Sequence, residues 1–166
     1  MAVTGAVDLA SLAGCIGSSS NGGGGSEVPL IITHDMVVSA ATVRKNQAPC
    51  SLENRYLHGQ RVIFRIRVID PETGEKLDDS SLKGVSVKIE KGDGQTVDGY
   101  YSKHPPENPT DYYWVVPWTV PEEFPAGPVD YDIIVNAERS AKSYRFDVPP
   151  ANLTVLNGSY APDKSG

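Results

Sequence analysis

The sequence predicts an all-β fold: an antiparallel β-sandwich of about 7–8 short strands behind a disordered N-terminal tail. Three observations carry that expectation. The stretch RVIFRIRVID, Arg61 to Asp70, gives the clearest period-two pattern, with Val62, Phe64, Ile66 and Val68 on one side and Arg61, Arg65 and Arg67 on the other. That is the period of a strand with one face in the core and one in water. Thirteen prolines and sixteen glycines punctuate the 166 residues and cut β-branched and aromatic runs into short pieces. No segment of useful length carries the 3.6-residue apolar spacing of an amphipathic helix, so the crossover helices of a parallel α/β sheet are not expected either.

Taken in order, Met36 to Val43 is the first apolar run and Arg61 to Asp70 the second. In the DPETGEKLDD segment that follows, Pro71 suits an early turn position and Gly74 a left-handed one. VSVKIEKGDGQTVDGYY reads as a hairpin: Val85, Val87 and Ile89 point inward, Asp93-Gly94 turns, and the return strand runs through Val97. DYYWVVPWTV is the fifth run. VDYDIIVNA then sets Tyr131, Ile133 and Val135 on one side, SYRFDV sets Tyr144, Phe146 and Val148 out of phase with Arg145 and Asp147, and NLTVL closes the series.

WTVPEEFPAGPVDYDIIV, Trp118 to Val135, resembles the corner of an immunoglobulin-like or fibronectin type III-like domain, where an aromatic strand ends, a Pro/Gly-rich bend follows and a tyrosine opens the next strand. The resemblance covers roughly residues 30 to 157 and implies that Tyr131 plays the tyrosine-corner role, its hydroxyl bonded to backbone upstream. The antibody-type cysteine is missing, since Ile133 stands two residues after Tyr131. Such an architecture does not fix a function.

The N-terminal end is organised differently. Leu12-Ala13-Gly14-Cys15 resembles the lipobox of prokaryotic lipoproteins, in which the chain is cut before a cysteine that is then acylated, and the resemblance implies lipidation at Cys15. Gly17 to Ser26 consists only of Gly, Ser and Asn, a random-coil composition. From Cys15 to Val28 it would reach roughly 20 Å root-mean-square and about 45 Å when taut, enough to hold a folded domain clear of a bilayer. Acyl chains would supply the anchorage, about 0.8 kcal/mol per buried methylene. Met1 to Gly14 departs from a full signal peptide, having no basic residue and carrying Asp8 within its apolar stretch. The expected organisation is a truncated lipoprotein signal segment at 1–14, a flexible tether at 15–29, an immunoglobulin-like sandwich at 30–158 and a disordered tail at 159–166. Lipidation would leave Cys50 an unpaired thiol; the rival is a Cys15–Cys50 disulfide in an exported protein.

Composition removes several function classes. A domain of about 130 residues can bury around two-thirds of its unfolded surface without disulfide staples. A net charge of -6 is the wrong sign for a protein that must neutralise phosphates, so nucleic acid is not an expected partner. No window approaches the roughly 20 apolar residues of a spanning helix, so a membrane would be met through the lipid anchor only. No phosphate-cradling, zinc-binding or nucleophile-elbow motif is present, and no enzyme activity and no cofactor are expected. His34, His58 and His104 share no local ligand spacing; with Cys50 and Met36 they supply the ligand types of a copper site but not its clustering late in the chain. Asp70, Glu72, Glu75, Asp78 and Asp79 do not match a calcium loop and read as a solvated acidic turn. The arginine stripe is expected to pair across strands with acids such as Glu90. Asn152-Leu-Thr154 and Asn157-Gly-Ser159 fit the glycosylation tripeptide.

The segment Gly99 to Trp118 stands apart. Tyr112, Trp114, Val116 and Trp118 form one apolar face, and Tyr113, Val115 and Pro117 make the opposite face apolar too. A half-exposed sandwich strand needs only one such face; a second means either that loops of the domain cover it or that it meets something outside the domain. Pro117 lacks a ladder donor and marks an edge or bulge. With Tyr100, Tyr101, His104 and the Pro105-Pro106 pair nearby, the expected contact surface is Tyr100, Tyr101, His104, Tyr112, Tyr113 and Val115. Replacing Tyr113 by Ser should then weaken partner capture with little effect on stability. The expected function is a non-catalytic binding or structural module, exported to a prokaryotic cell envelope or surface, whose partner is a protein or a glycan. The alternatives are a metal-binding or redox accessory protein of the surface and a subunit of a surface filament or envelope complex, the latter by pairing Val28 to Ile32 with a neighbour.

Overall fold

Alternation is obeyed most strictly where the sequence shows it most plainly: Val62, Phe64, Ile66 and Val68 are all buried, and the residues between them are partly exposed. A computed structural model describes residues 28–42, 52–91, 94–137, 141–147 and 152–161, with backbone alone at 28–29 and 141–147. Cys15, the expected tether as far as residue 27, Cys50 and Asp93 lie outside the described residues, whereas Val28 and Pro29 already belong to the first strand.

Among the described residues the chain is all-β, with eleven strands: β1 (Val28–Val38), β2 (Arg55–His58), β3 (Arg61–Ile69), β4 (Leu82–Ile89), β5 (Thr96–Asp98), β6 (Tyr100–His104), β7 (Asp111–Thr119), β8 (Gly127–Val129), β9 (Tyr131–Ala137), β10 (Ala141–Asp147) and β11 (Leu153–Ser159). They form a five-stranded sheet in the order β10-β1-β3-β7-β6 and two three-stranded sheets, β2-β11-β8 and β5-β4-β9. One cluster of buried side chains draws on all three: Met36, Phe64 and Trp118 from the large sheet, Tyr56, Val129 and Val155 from the second, Val87 and Tyr131 from the third. Sheets closing on a shared apolar layer are consistent with a β-sandwich.

Most pairings are antiparallel, but β1–β10 and β2–β11 run parallel. Both join segments nearly a hundred residues or more apart in sequence, so no local pattern could announce them. The strand count exceeds the expected seven or eight because β2 and β8 are too short to show alternation and the return of the hairpin splits at Gly99 into β5 and β6. The first run is also shifted: the strand ends at Val38 and residues Ala40–Thr42 form a 3₁₀ turn. There Thr42 is claimed by other bonds. Its hydroxyl accepts from Arg61 N at 2.8 Å and its carbonyl accepts from Gln60 Nε2 at 2.8 Å, drawing the chain across the end of the sheet.

The β4–β5 hairpin pairs Ser86 with Asp98 and Val87 with Val97, and Gly94 at φ 64° occupies the left-handed conformation expected of it. One residue later the chain changes sheets. Gly99 donates to the Val85 carbonyl on β4 at 2.8 Å, and Tyr100 then begins β6 beside β7 in the large sheet. A Cβ at Gly99 would sit 2.7 Å from Val116 Cγ2 and 2.8 Å from the Val85 carbonyl oxygen, so only glycine lets the backbones approach this closely. Pro117 falls just beyond the end of this pairing: β6 matches β7 only as far as Tyr100 opposite Val115, while Pro117 is opposite Ile63 of β3. Its missing N–H therefore coincides with a local edge.

Candidate functional site

The β6–β7 hairpin positions all six residues of the expected contact surface, but its pleat sends them to two faces. Tyr100 is opposite Val115, Ser102 opposite Tyr113 and His104 opposite Asp111, and this set shares the outer face. Tyr101 opposite Trp114 and Lys103 opposite Tyr112 share the face that continues into the core. One contiguous patch of six is therefore not what the register builds.

On the outer face, Tyr113 and Val115 are only 6% and 7% exposed. The cover comes from the chain itself. The guanidinium carbons of Arg67 and Arg65 lie 5.3 and 5.7 Å from the Tyr113 ring centroid, and the His104 ring lies 6.0 Å away. Burial pushes the Tyr113 hydroxyl up in pKa, with Arg65 and Arg67 opposing. The two arginines are held by Asp35, whose backbone is in register with Arg65, and by Asp111, which also receives the Lys76 ammonium at 2.6 Å. The expected partner, Glu90, pairs instead with Lys88 at 2.9 Å; β4 lies in another sheet, so its acids do not face the stripe. Burial would raise the Asp111 carboxyl, but hydrogen bonds from Arg67, Lys76 and the Tyr112 amide outweigh it and hold that carboxyl well below the usual carboxylate range.

On the other face the hairpin meets the loop after β3. Ile69 bridges to Lys76, Leu77 N donates to the Val68 carbonyl, and Trp114 Nε1 donates to the Leu77 carbonyl at 3.0 Å. These bonds fix an open cleft of about 630 Å³ lined by Lys76, Asp78, Asp79, Tyr101, Lys103 and Tyr112. Tyr101 leans edge-on against Trp114 and stands nearly parallel to Tyr112, their centroids 6.4 Å apart at 21°. Burial pushes the Tyr101 hydroxyl up in pKa, and Asp78 and Asp79 add to it. Sequence reasoning found Tyr101 and Tyr112 but treated Asp78 and Asp79 as a solvated turn; the fold-back that carries them to the hairpin rests on long-range bonds with no local signature. A second cleft, also about 630 Å³, lies between the end of β4 and the 121–125 turn, lined by Ile89, Lys91, Gln95, Pro121, Glu123, Phe124 and Pro125.

The histidines have separate situations. His34 is buried on β1 and shares a 2.6 Å hydrogen bond with the Tyr131 hydroxyl, so the tyrosine assigned to a corner has a side-chain partner on the large sheet. His58 sets Nδ1 2.9 Å from the Gly158 carbonyl and Nε2 2.7 Å from the Phe124 carbonyl, bracing β2, β11 and the 121–125 turn together. His104 is exposed on the hairpin. Among the described residues no three His, Cys, Asp or Glu gather in a way that could hold a metal ion, and no helix is long and apolar enough to cross a membrane. Val28 to Ile32, the segment considered for strand exchange, is paired to β10, and from Ile31 onward β1 is paired to β3 as well. In comparisons with known proteins, no family model and no curated protein matches this chain.

Proposed function

We propose that the chain is a non-catalytic binding module of a prokaryotic cell envelope, an immunoglobulin-like β-sandwich tethered through an acylated Cys15 and the Gly/Ser segment behind it. The lipobox-like tetrad and the coil-forming composition after it support the tether. The observation that carries the binding function is the exposure of aromatic surface on one hairpin: Tyr100 is 56% exposed and Tyr112 37%, though both side chains are large and apolar enough to bury. Exposed His104 shares the outer face with Tyr100, where Tyr113 and Val115 lie buried, and partly buried Tyr101 shares the core-side face with Tyr112. The partner is a protein or a glycan presented at the cell surface.

The test is capture of envelope fragments from the encoding organism by the purified chain. Tyr100→Ser combined with Tyr112→Ser should lower retention about tenfold or more, the scale of a lost aromatic anchor, with an unchanged melting temperature. Retention by the double variant at the original level would remove the hairpin from the proposal. Mass analysis of the mature N-terminus tests the tether independently: acyl chains on Cys15 are expected.

A further inference from the structure

The cleft on the core-side face of the hairpin carries a more specific assignment, which rests on the binding-module function just proposed. We infer that the cleft lined by Tyr101, Tyr112, Asp78, Asp79, Lys76 and Lys103 binds a segment of neutral polysaccharide. The exposed Tyr112 ring, stacked on Tyr101, offers a flat apolar face with a polar tip, which suits the C–H face of a sugar ring. The rim supplies both kinds of hydrogen-bonding group that sugar hydroxyls require. Among the described residues, neither the Asp79 nor the Lys103 side chain has a hydrogen-bond or ion-pair partner, leaving a carboxylate that only accepts and an ammonium that only donates.

Charge selects among ligand classes. The lining holds two ammonium and two carboxylate groups, so an anionic polymer drawn to Lys103 meets Asp78 and Asp79, and a cationic one meets Lys76 and Lys103. A neutral polyhydroxylated chain meets no such opposition. A protein partner fits less well, because the centres of protein interfaces are depleted of Lys and Asp and four of these six residues are of those types. The walls are also set before a ligand arrives. Trp114 ties the loop to β7 through the Leu77 carbonyl, and one Asp78 oxygen takes the amides and hydroxyls of Ser80 and Ser81. A pre-formed site loses less freedom on binding than one that must be ordered. The volume, about 630 Å³, lies within the range of sites for ligands of a few rings.

The experiment is titration of the full chain with maltohexaose, cellohexaose, mannohexaose and chitohexaose, with polygalacturonate as the anionic comparator. At least one neutral hexasaccharide should bind in the millimolar range or tighter. Tyr112→Ala and Asp79→Asn should each weaken it about fivefold, while Arg61→Ala, exposed at the far end of β3 opposite Thr119, leaves it unchanged. Melting curves exclude misfolding, and Asp79 is exposed, so its variant stays folded even if Tyr112→Ala does not. Absence of hexasaccharide binding with envelope capture retained would overturn the polysaccharide assignment alone; absence of both would overturn the binding module with it. Binding that survives both cleft variants, or a preference for polygalacturonate, would equally defeat the inference.

Discussion

Tyr113 shows how a side chain can be legible in the sequence and still be misplaced by it. Alternation correctly sends its ring to the face opposite Trp114, but whether that face is wet depends on residues from β1 and β3 that alternation cannot see. Arg65 and Arg67, written in the sequence as a solvated stripe, lay their guanidinium groups over the ring while Asp35 and Asp111 hold them. Tyr113→Ser is therefore expected to cost about 2–4 kcal/mol of stability, as truncating a buried aromatic does, and chemical denaturation measures it. The sequence-based expectation of an unchanged stability is reversed. Asp111 adds a pH signature. Its carboxyl is depressed when folded, so its contribution is present above the ordinary carboxylate value near 3.8 and is lost as pH falls below it. Asp111→Asn should be less stable than the parent at neutral pH, and the gap should close as denaturation curves are taken into acid.

At the scale of the element, the long alternating strand β3 and the β4–β5 hairpin could be read from residues alone because each declares itself within ten or so positions. The sheet change at Gly99 could not. A glycine between two tyrosine-bearing stretches looks like any turn signal, and its role comes from β4 and β7 converging on it. Gly99→Ala should destabilise the domain by about 1–3 kcal/mol or more, since the added methyl meets a backbone carbonyl that cannot swing away; a thermal melt checks it. The cleft belongs to the same category. Tyr101 and Tyr112 are visible in sequence as aromatic density, but Lys76, Asp78 and Asp79 join them only because the loop after β3 folds back onto the hairpin.

For the whole molecule, the all-β class followed from punctuation and period, and the sandwich-like closure is consistent with it. The parallel joins did not follow, because β1 meets β10 and β2 meets β11 across nearly the full length of the domain. Those joins also decide where the N-terminal segment enters. Val28 leads directly into a strand that acquires neighbours on both sides, β10 first and then β3 as well from Ile31. Tension arriving from the N-terminal side and directed along that strand would be shared by two hydrogen-bonded ladders strained in shear, rather than peeling one bond after another from an edge. A domain pulled through Val28 would therefore resist mechanical extraction at the point where the load enters.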